Sequence, residues 1–186
     1  STPLIEAVWA GDVDEVKALI KSKVNVNEKS DSSWSVTALL MAAQRGNVAI
    51  LQMLLSAKAD VDALSYFGTP LMCAVRKENL EMVDSLLKAK AAVDDCDKKK
   101  KETPLIKACG KGSIDIAKRL IAAKADVDAQ NKGDETPLWF AASRGYTEIA
   151  ENLVKAKACI DAWDEQTRTP LLRAAAGGHA DIMRLL

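Results

Sequence analysis

Aromatic side chains are scarce, at 4% of the 186 residues, and there is one histidine, His179. A single imidazole leaves almost no room for His-pair metal sites or histidine-based acid–base networks. Net charge is also lacking, because 26 basic residues balance 26 acidic ones. That balance argues against a chain whose main task is coating nucleic acid, which shows a large basic excess. No apolar run reaches the roughly 18 residues that spanning a membrane would need. The four cysteines, Cys73, Cys96, Cys109 and Cys159, form no C-x-x-C pair and have no companion histidines. Neither a zinc site nor a dense disulfide framework is expected, and reduced thiols fit a cytosolic or nuclear compartment.

What the sequence does have is self-similarity. Thr-Pro-Leu starts at Thr2, Thr69, Thr103, Thr136 and Thr169, with Thr37-Ala38-Leu39 a near copy. Successive threonines are 35, 32, 34, 33 and 33 residues apart. A small pair follows in phase, as in Ala42-Ala43, Ala108-Cys109 and Ala141-Ala142. Glycine comes next at Gly11, Gly46, Gly112, Gly145 and Gly178, with Glu78 the exception. An aliphatic pair such as Leu54-Leu55 or Leu120-Ile121 closes each second segment, and a Val/Ile-Asn/Asp step such as Val61-Asp62 ends the unit.

Each phased residue has a physical task. Threonine caps the first helix, and proline suits its first turn, where the missing N–H would be unpaired anyway. The small pair lets helices approach closely, and the glycine permits a tight turn between two antiparallel helices. The second helix carries apolar residues at helical spacing, as in Ile116, Ala117, Leu120 and Ile121. The polar stretch between units suits a hairpin-like loop.

With this period and phasing, the chain resembles the ankyrin-repeat family over essentially its whole length. The resemblance implies an all-α solenoid of helix–turn–helix units with β-hairpin-like finger loops, each unit burying its apolar face against its neighbours. It implies one domain over residues 1–186, with repeats starting near Thr2, Thr37, Thr69, Thr103, Thr136 and Thr169. The last would be incomplete, because the sequence stops at Leu185-Leu186 within a second helix, and a fragment of a longer array is expected.

Three departures from the family pattern stand out. The Thr-Pro-Leu-His histidine is replaced by Ile5, Leu40, Met72, Ile106, Trp139 and Leu172, so apolar packing should replace its hydrogen bonds. Lysine holds the glycine slot after every complete second helix, at Lys23, Lys58, Lys90, Lys124 and Lys157. If the backbone there is left-handed, each lysine is strained by roughly 1 kcal/mol relative to glycine. Finally, the loops before Thr37, Thr69 and Thr103 vary in length, which should change finger shape and not fold.

Sites of chemistry are few. No Ser-His-Asp or Cys-His arrangement is available, and His179 falls in the turn slot where the family commonly has one. Cys73 and Cys109 read as core fillers, Cys96 and Cys159 as more exposed. Gly110-Lys111-Gly112 lacks phosphate-loop spacing, and Asp94, Asp95 and Asp97 lack the pattern of a calcium loop. No cofactor and no metal is expected. The resemblance also implies a possible target for an asparaginyl hydroxylase: a loop Asn or Asp with a Leu eight residues upstream, as in Leu19–Asn27 and Leu54–Asp62.

Binding in this family falls to the concave surface, through finger tips and the solvent side of each first helix. Seven and eight residues after each threonine stand Trp9-Ala10, Gln44-Arg45, Arg76-Lys77, Gly110-Lys111, Ser143-Arg144 and Ala176-Gly177. The fingers add Trp34, Tyr66, Phe67, the run Lys98 to Lys101 (with Lys99 and Lys100 at its centre), Lys132 and Arg168, with Trp163 just before the last. The central helix slots carry Arg45, Arg76, Lys77, Lys111 and Arg144 and no acid, whereas many acids fall on second helices. Arginine and exposed aromatics are enriched at interface hot spots, although a lysine run on a loop also serves solubility.

The expected function is therefore a non-enzymatic protein-interaction module or adaptor. It would bind an acidic partner segment with an apolar anchor, as a monomer, without membrane insertion and without nucleic acid. The alternative is a targeting or regulatory region of a larger enzyme, channel or effector.

Overall fold

The computed structural model describes residues 2–31, 34–66, 68–97 and 99–186. The chain folds as two compact units, Ser1–Ala92 and Val93–Leu186. The first holds α1 (Pro3–Ala10), α2 (Val13–Lys21), α3 (Ala38–Arg45), α4 (Val48–Ser56), α5 (Pro70–Arg76) and α6 (Leu80–Lys88). The second holds α7 (Pro104–Lys111), α8 (Ile114–Ala122), α9 (Pro137–Arg144), α10 (Thr147–Lys155), α11 (Pro170–Gly177) and α12 (Ala180–Leu185). Among the described residues no strand forms, and Ser65 and Gly68 make one isolated bridge.

The repeated threonines set where first helices begin. In all six, the threonine hydroxyl accepts the backbone N–H three residues on, at 3.2–3.3 Å. Five of the six first helices end on a left-handed glycine. The exception, α5, places Glu78 in the same left-handed region, with φ of 54°. In the second unit two of these glycines have a further reason to be glycine. A Cβ on Gly112 would lie 2.7 Å from the Tyr146 ring, and one on Gly145 would lie 2.6 Å from Nδ1 of His179. The single histidine is thus a ring packed on the turn of the preceding repeat.

Second helices bury one stripe each: Ile50, Leu51 and Leu54 on α4, Ile149, Ala150 and Leu153 on α10. Each of the five complete ones ends in the same double hydrogen bond. At α4, the Lys58 N–H donates to Leu55 O and the Ala59 N–H to Leu54 O, both at 3.0 Å. This is the Schellman arrangement, which requires a left-handed residue at its fifth position. The lysines fill it, with φ of 60–69° at Lys23, Lys58, Lys90, Lys124 and Lys157. The aliphatic pair therefore supplies carbonyls as well as apolar surface.

Neighbouring loops are laced together within each unit. Oδ1 of Asn27 accepts the Asp60 N–H at 2.7 Å, and Oδ1 of Asp62 accepts the Ala92 N–H at 2.8 Å. In the second unit Asp94 accepts from Asp126 at 3.0 Å and Asp128 from Cys159 at 2.7 Å. The Val-Asn/Asp steps are thus inter-repeat acceptors, and the side chains offered to a hydroxylase are already engaged. Replacing Asn27 or Asp128 by Ala should cost about 1 kcal/mol, because one backbone N–H loses its partner. Asp128→Asn, which keeps the oxygen, should stay near neutral. Urea unfolding of the two variants checks both expectations.

Candidate functional site

In the first unit, Trp9 at the end of α1 is 57% exposed. The Arg45 guanidinium, carried by α3, sits 4.5 Å from the centre of the Trp9 ring. Stacking on an indole orients the cation and sheds part of its hydration while leaving it accessible. A cleft of about 420 Å³ opens beside this pair. Next to it, Gln44, Cys73, Arg76 and Lys77 line a smaller cavity of about 180 Å³. Arg76 Nη2 donates to Cys73 Sγ at 3.0 Å. Burial raises the Cys73 thiol above its ordinary value and Arg76 works against that shift, so the thiol stays protonated and acts as acceptor. At the finger tips, Trp34 and Tyr66 meet edge to face at 5.0 Å, with Tyr66 63% exposed. Phe67, expected beside them, lies outside the described residues.

In the second unit, Lys111 and Arg144 are exposed at the ends of α7 and α9. Lys99, Lys100 and Lys132 are exposed on fingers, and the Lys132 N–H donates to Lys100 O at 2.9 Å, joining the two loops. Lys98 lies outside the described residues. The run is not purely basic in its surroundings: buried Glu102 pairs with Lys107 and stands 4.0 Å from Lys100. Acids on the second helices are partly neutralised too. Glu148 pairs with Lys118 at 2.6 Å, Glu151 with Lys155 at 3.8 Å and Asp181 with Arg184 at 2.8 Å.

Trp163 is 67% exposed, whereas Trp139 is 7% exposed. Trp139 occupies the absent-histidine slot, and here apolar packing is not the whole replacement. Its indole N–H donates to Asp164 Oδ2 at 3.0 Å. The same oxygen receives Arg168 Nε at 2.8 Å and Nη2 at 2.7 Å. Arg168 is therefore held in an internal ion pair with a buried carboxylate. Ser143, half-buried on α9, accepts Arg173 Nη2 at 3.1 Å, and the Arg173 guanidinium stacks 4.7 Å from the Trp139 ring centre.

One recurring position whose role the motif reading missed shapes every finger: Ser30, Ser65, Asp97, Asn131 and Asp164. Each opens a loop closed by one backbone hydrogen bond or bond pair, such as Ser30 N–H to Val36 O at 2.8 Å and Asp97 N–H to Glu102 O at 3.2 Å. At Ser30, Asp97, Asn131 and Asp164 the side chain accepts backbone N–H groups of its own loop. Asp97 Oδ1 takes those of Lys99 and Lys100, Asn131 Oδ1 those of Gly133 and Glu135, and Asp164 Oδ1 those of Gln166 and Arg168. Ser30 Oγ takes that of Val36. These are Asx and Ser turns, in which a side chain substitutes for a strand ladder.

Repeated capped helix pairs with left-handed turns and laced loops define a class of stacked-repeat proteins, and the chain belongs to the ankyrin-repeat family. Family models described as ankyrin repeats match residues 39–131, 71–162, 105–186 and 4–55. The crystal structure of an ankyrin repeat domain from Acinetobacter baumannii is similar at a TM-score of 0.92 and 28% identity, over 98% of this chain and 95% of that one. No curated protein matches the sequence significantly. Ankyrin repeats are protein-interaction modules, typically non-catalytic. Among the described residues, no helix is long and apolar enough to cross a membrane.

Proposed function

We propose that this chain is a non-catalytic binding module whose first-helix face takes an acidic segment of a protein partner beside an apolar side chain. The observation that carries this reading is the exposed Trp9 with Arg45 stacked upon it, next to a cavity lined by Gln44, Arg76 and Lys77. An indole held in water is a ready apolar anchor, and an oriented guanidinium receives a carboxylate through two parallel hydrogen bonds. In the second unit, considered by itself, Lys111 and Arg144 on α7 and α9 offer cations of the same kind. The exposed Trp34–Tyr66 pair offers further aromatic surface at the finger tips.

The test is a double charge reversal, Arg76→Glu with Lys77→Glu, measured against a partner obtained by affinity capture from source lysate. Affinity should drop about tenfold or more, mostly through slower association, and its salt dependence should flatten. Unchanged affinity would remove this face from the binding surface. Short oligonucleotides should show no saturable fluorescence anisotropy at physiological salt.

A further inference from the structure

Arg173 is a half-buried cation with no counter-ion among the described residues. It projects from α11, and among those residues it interacts with two: the Trp139 ring under its guanidinium and the Ser143 hydroxyl accepting Nη2. Its Nε is fully buried and has no hydrogen-bond partner, as befits an N–H covered by the indole face. The carboxylate of the same cluster, Asp164, is committed elsewhere, to the Trp139 indole N–H and to Arg168. Two arginines therefore share one acid, and the charge left over sits on Arg173.

Such a charge is costly to hold. A partly desolvated guanidinium without a carboxylate loses hydration that one hydroxyl and one ring only partly restore. Methionine would fill the same volume over Trp139 without that cost. A stacked arginine is, however, preorganised: its plane is fixed and little rotamer freedom remains to be lost on binding. Two donors remain uncommitted in this arrangement. Nη1 has no protein partner and is not buried, and the Ser143 hydroxyl, having accepted from Nη2, keeps its own proton to give. The Phe140 ring, half-buried and edge to face with Trp139 at 5.1 Å, supplies apolar surface beside them.

We propose that Arg173, with Ser143, is a carboxylate-binding site of the second unit, taking an acidic side chain of the bound segment next to the Phe140 ring. The site lies on first helices, so it rests on the reading of that face as the binding surface, and it names the residue that receives the acid there. The ligand is an oxyanion of planar, two-oxygen shape, with one oxygen for Nη1 of Arg173 and the other for the Ser143 hydroxyl.

Glutarate serves as the probe, with neutral glutaramide as its control, on the 186-residue chain labelled with nitrogen-15. The Arg173 Nε–Hε and Trp139 Nε1–H signals should shift saturably with glutarate and stay fixed with glutaramide. Arg173→Lys, which keeps the charge, should weaken binding about tenfold through loss of the Nη1 donor held in place by stacking on Trp139. Arg173→Met, which keeps the packing over Trp139, should abolish the shift at Trp139 while leaving the thermal transition near that of the parent. The proposal is overturned if Arg173 does not respond, if glutaramide acts equally, or if Arg173→Met binds as the parent does. Should glutarate move Lys111 and Arg144 signals but not those of Arg173, the first-helix face remains the acid-binding surface and only the role of Arg173 falls.

Discussion

Asp164→Ala should destabilise the second unit by about 3–5 kcal/mol, the range for removing one member of a buried ion pair. One carboxylate ends five donors: the backbone N–H groups of Gln166 and Arg168 on Oδ1, and the Trp139 indole with two nitrogens of Arg168 on Oδ2. Alanine leaves all five unmatched, two of them on a charged group. The preceding finger shows how the same turn is closed with other chemistry. There Asn131 takes the two backbone N–H groups and donates Nδ2 to Glu135 Oε2 at 2.8 Å. Asp164→Asn alone would point an amide donor at Arg168 and at the indole. Combined with Arg168→Glu it recreates the Asn131–Glu135 pairing and should recover roughly half the loss, the indole remaining unpaired. Urea unfolding across this set reads the coupling directly.

The same carboxylate gives acid sensitivity of defined sign. Burial alone would raise its pKa, but the hydrogen bonds and charge of Arg168, with the Gln166 N–H, outweigh burial and bring it down to about 2 from an ordinary value of 3.8. A depressed folded-state pKa means the ionised form is favoured by folding. Its contribution is full above about pH 4 and fades as pH falls from there towards 2. Asp164→Asn should therefore be less stable near neutrality yet lose less between pH 4 and 2, as circular dichroism would record.

This network shows where the sequence was legible and where it was not. Threonine caps, turn glycines and left-handed lysines recur at fixed distances from each unit's threonine and in nearly constant identity, so periodicity exposes them. The finger anchors also keep a fixed distance, 28 residues after Thr2, Thr37, Thr69, Thr103 and Thr136. They change identity among Ser, Asp and Asn, and they precede the next threonine by 7, 4, 6, 5 and 5 residues. Counting back from the following unit scrambles them, because loop-length variation lies wholly after the anchor. The shared property, a short side-chain acceptor for a turn, was the available signal. Exposure of Trp9, Trp34, Tyr66 and Trp163 followed from their slots. The indole hydrogen bond of Trp139 did not, since it depends on an acid in the next repeat reaching back to it. The accessible side of Arg173 depends likewise on which of two arginines wins Asp164, a competition between groups that no slot count weighs.

Replacing the five left-handed lysines by glycine should raise stability in a way no surface contact would suggest. A left-handed L-residue costs about 1–2 kcal/mol. Glycine removes that strain but returns about 0.5–1 kcal/mol through the greater freedom of the unfolded chain. It also forfeits about 0.3 kcal/mol of favourable interaction between each lysine and the negative end of its helix. The net is about 0.5 kcal/mol per site. The sites are one repeat apart, and each closes its own Schellman pair, so their effects should add to about 2–3 kcal/mol. For a chain of this size that is a rise in Tm of about 5–10 °C. The set Lys→Ala separates the causes. Alanine removes the five charges while keeping Cβ and therefore the strain, so it should lower Tm by about 3–6 °C through the lost helix-end interactions. A gain with alanine equal to that with glycine would assign the effect to charge repulsion along the second-helix ends, and the left-handed φ of 60–69° at these positions would then be carried at little cost.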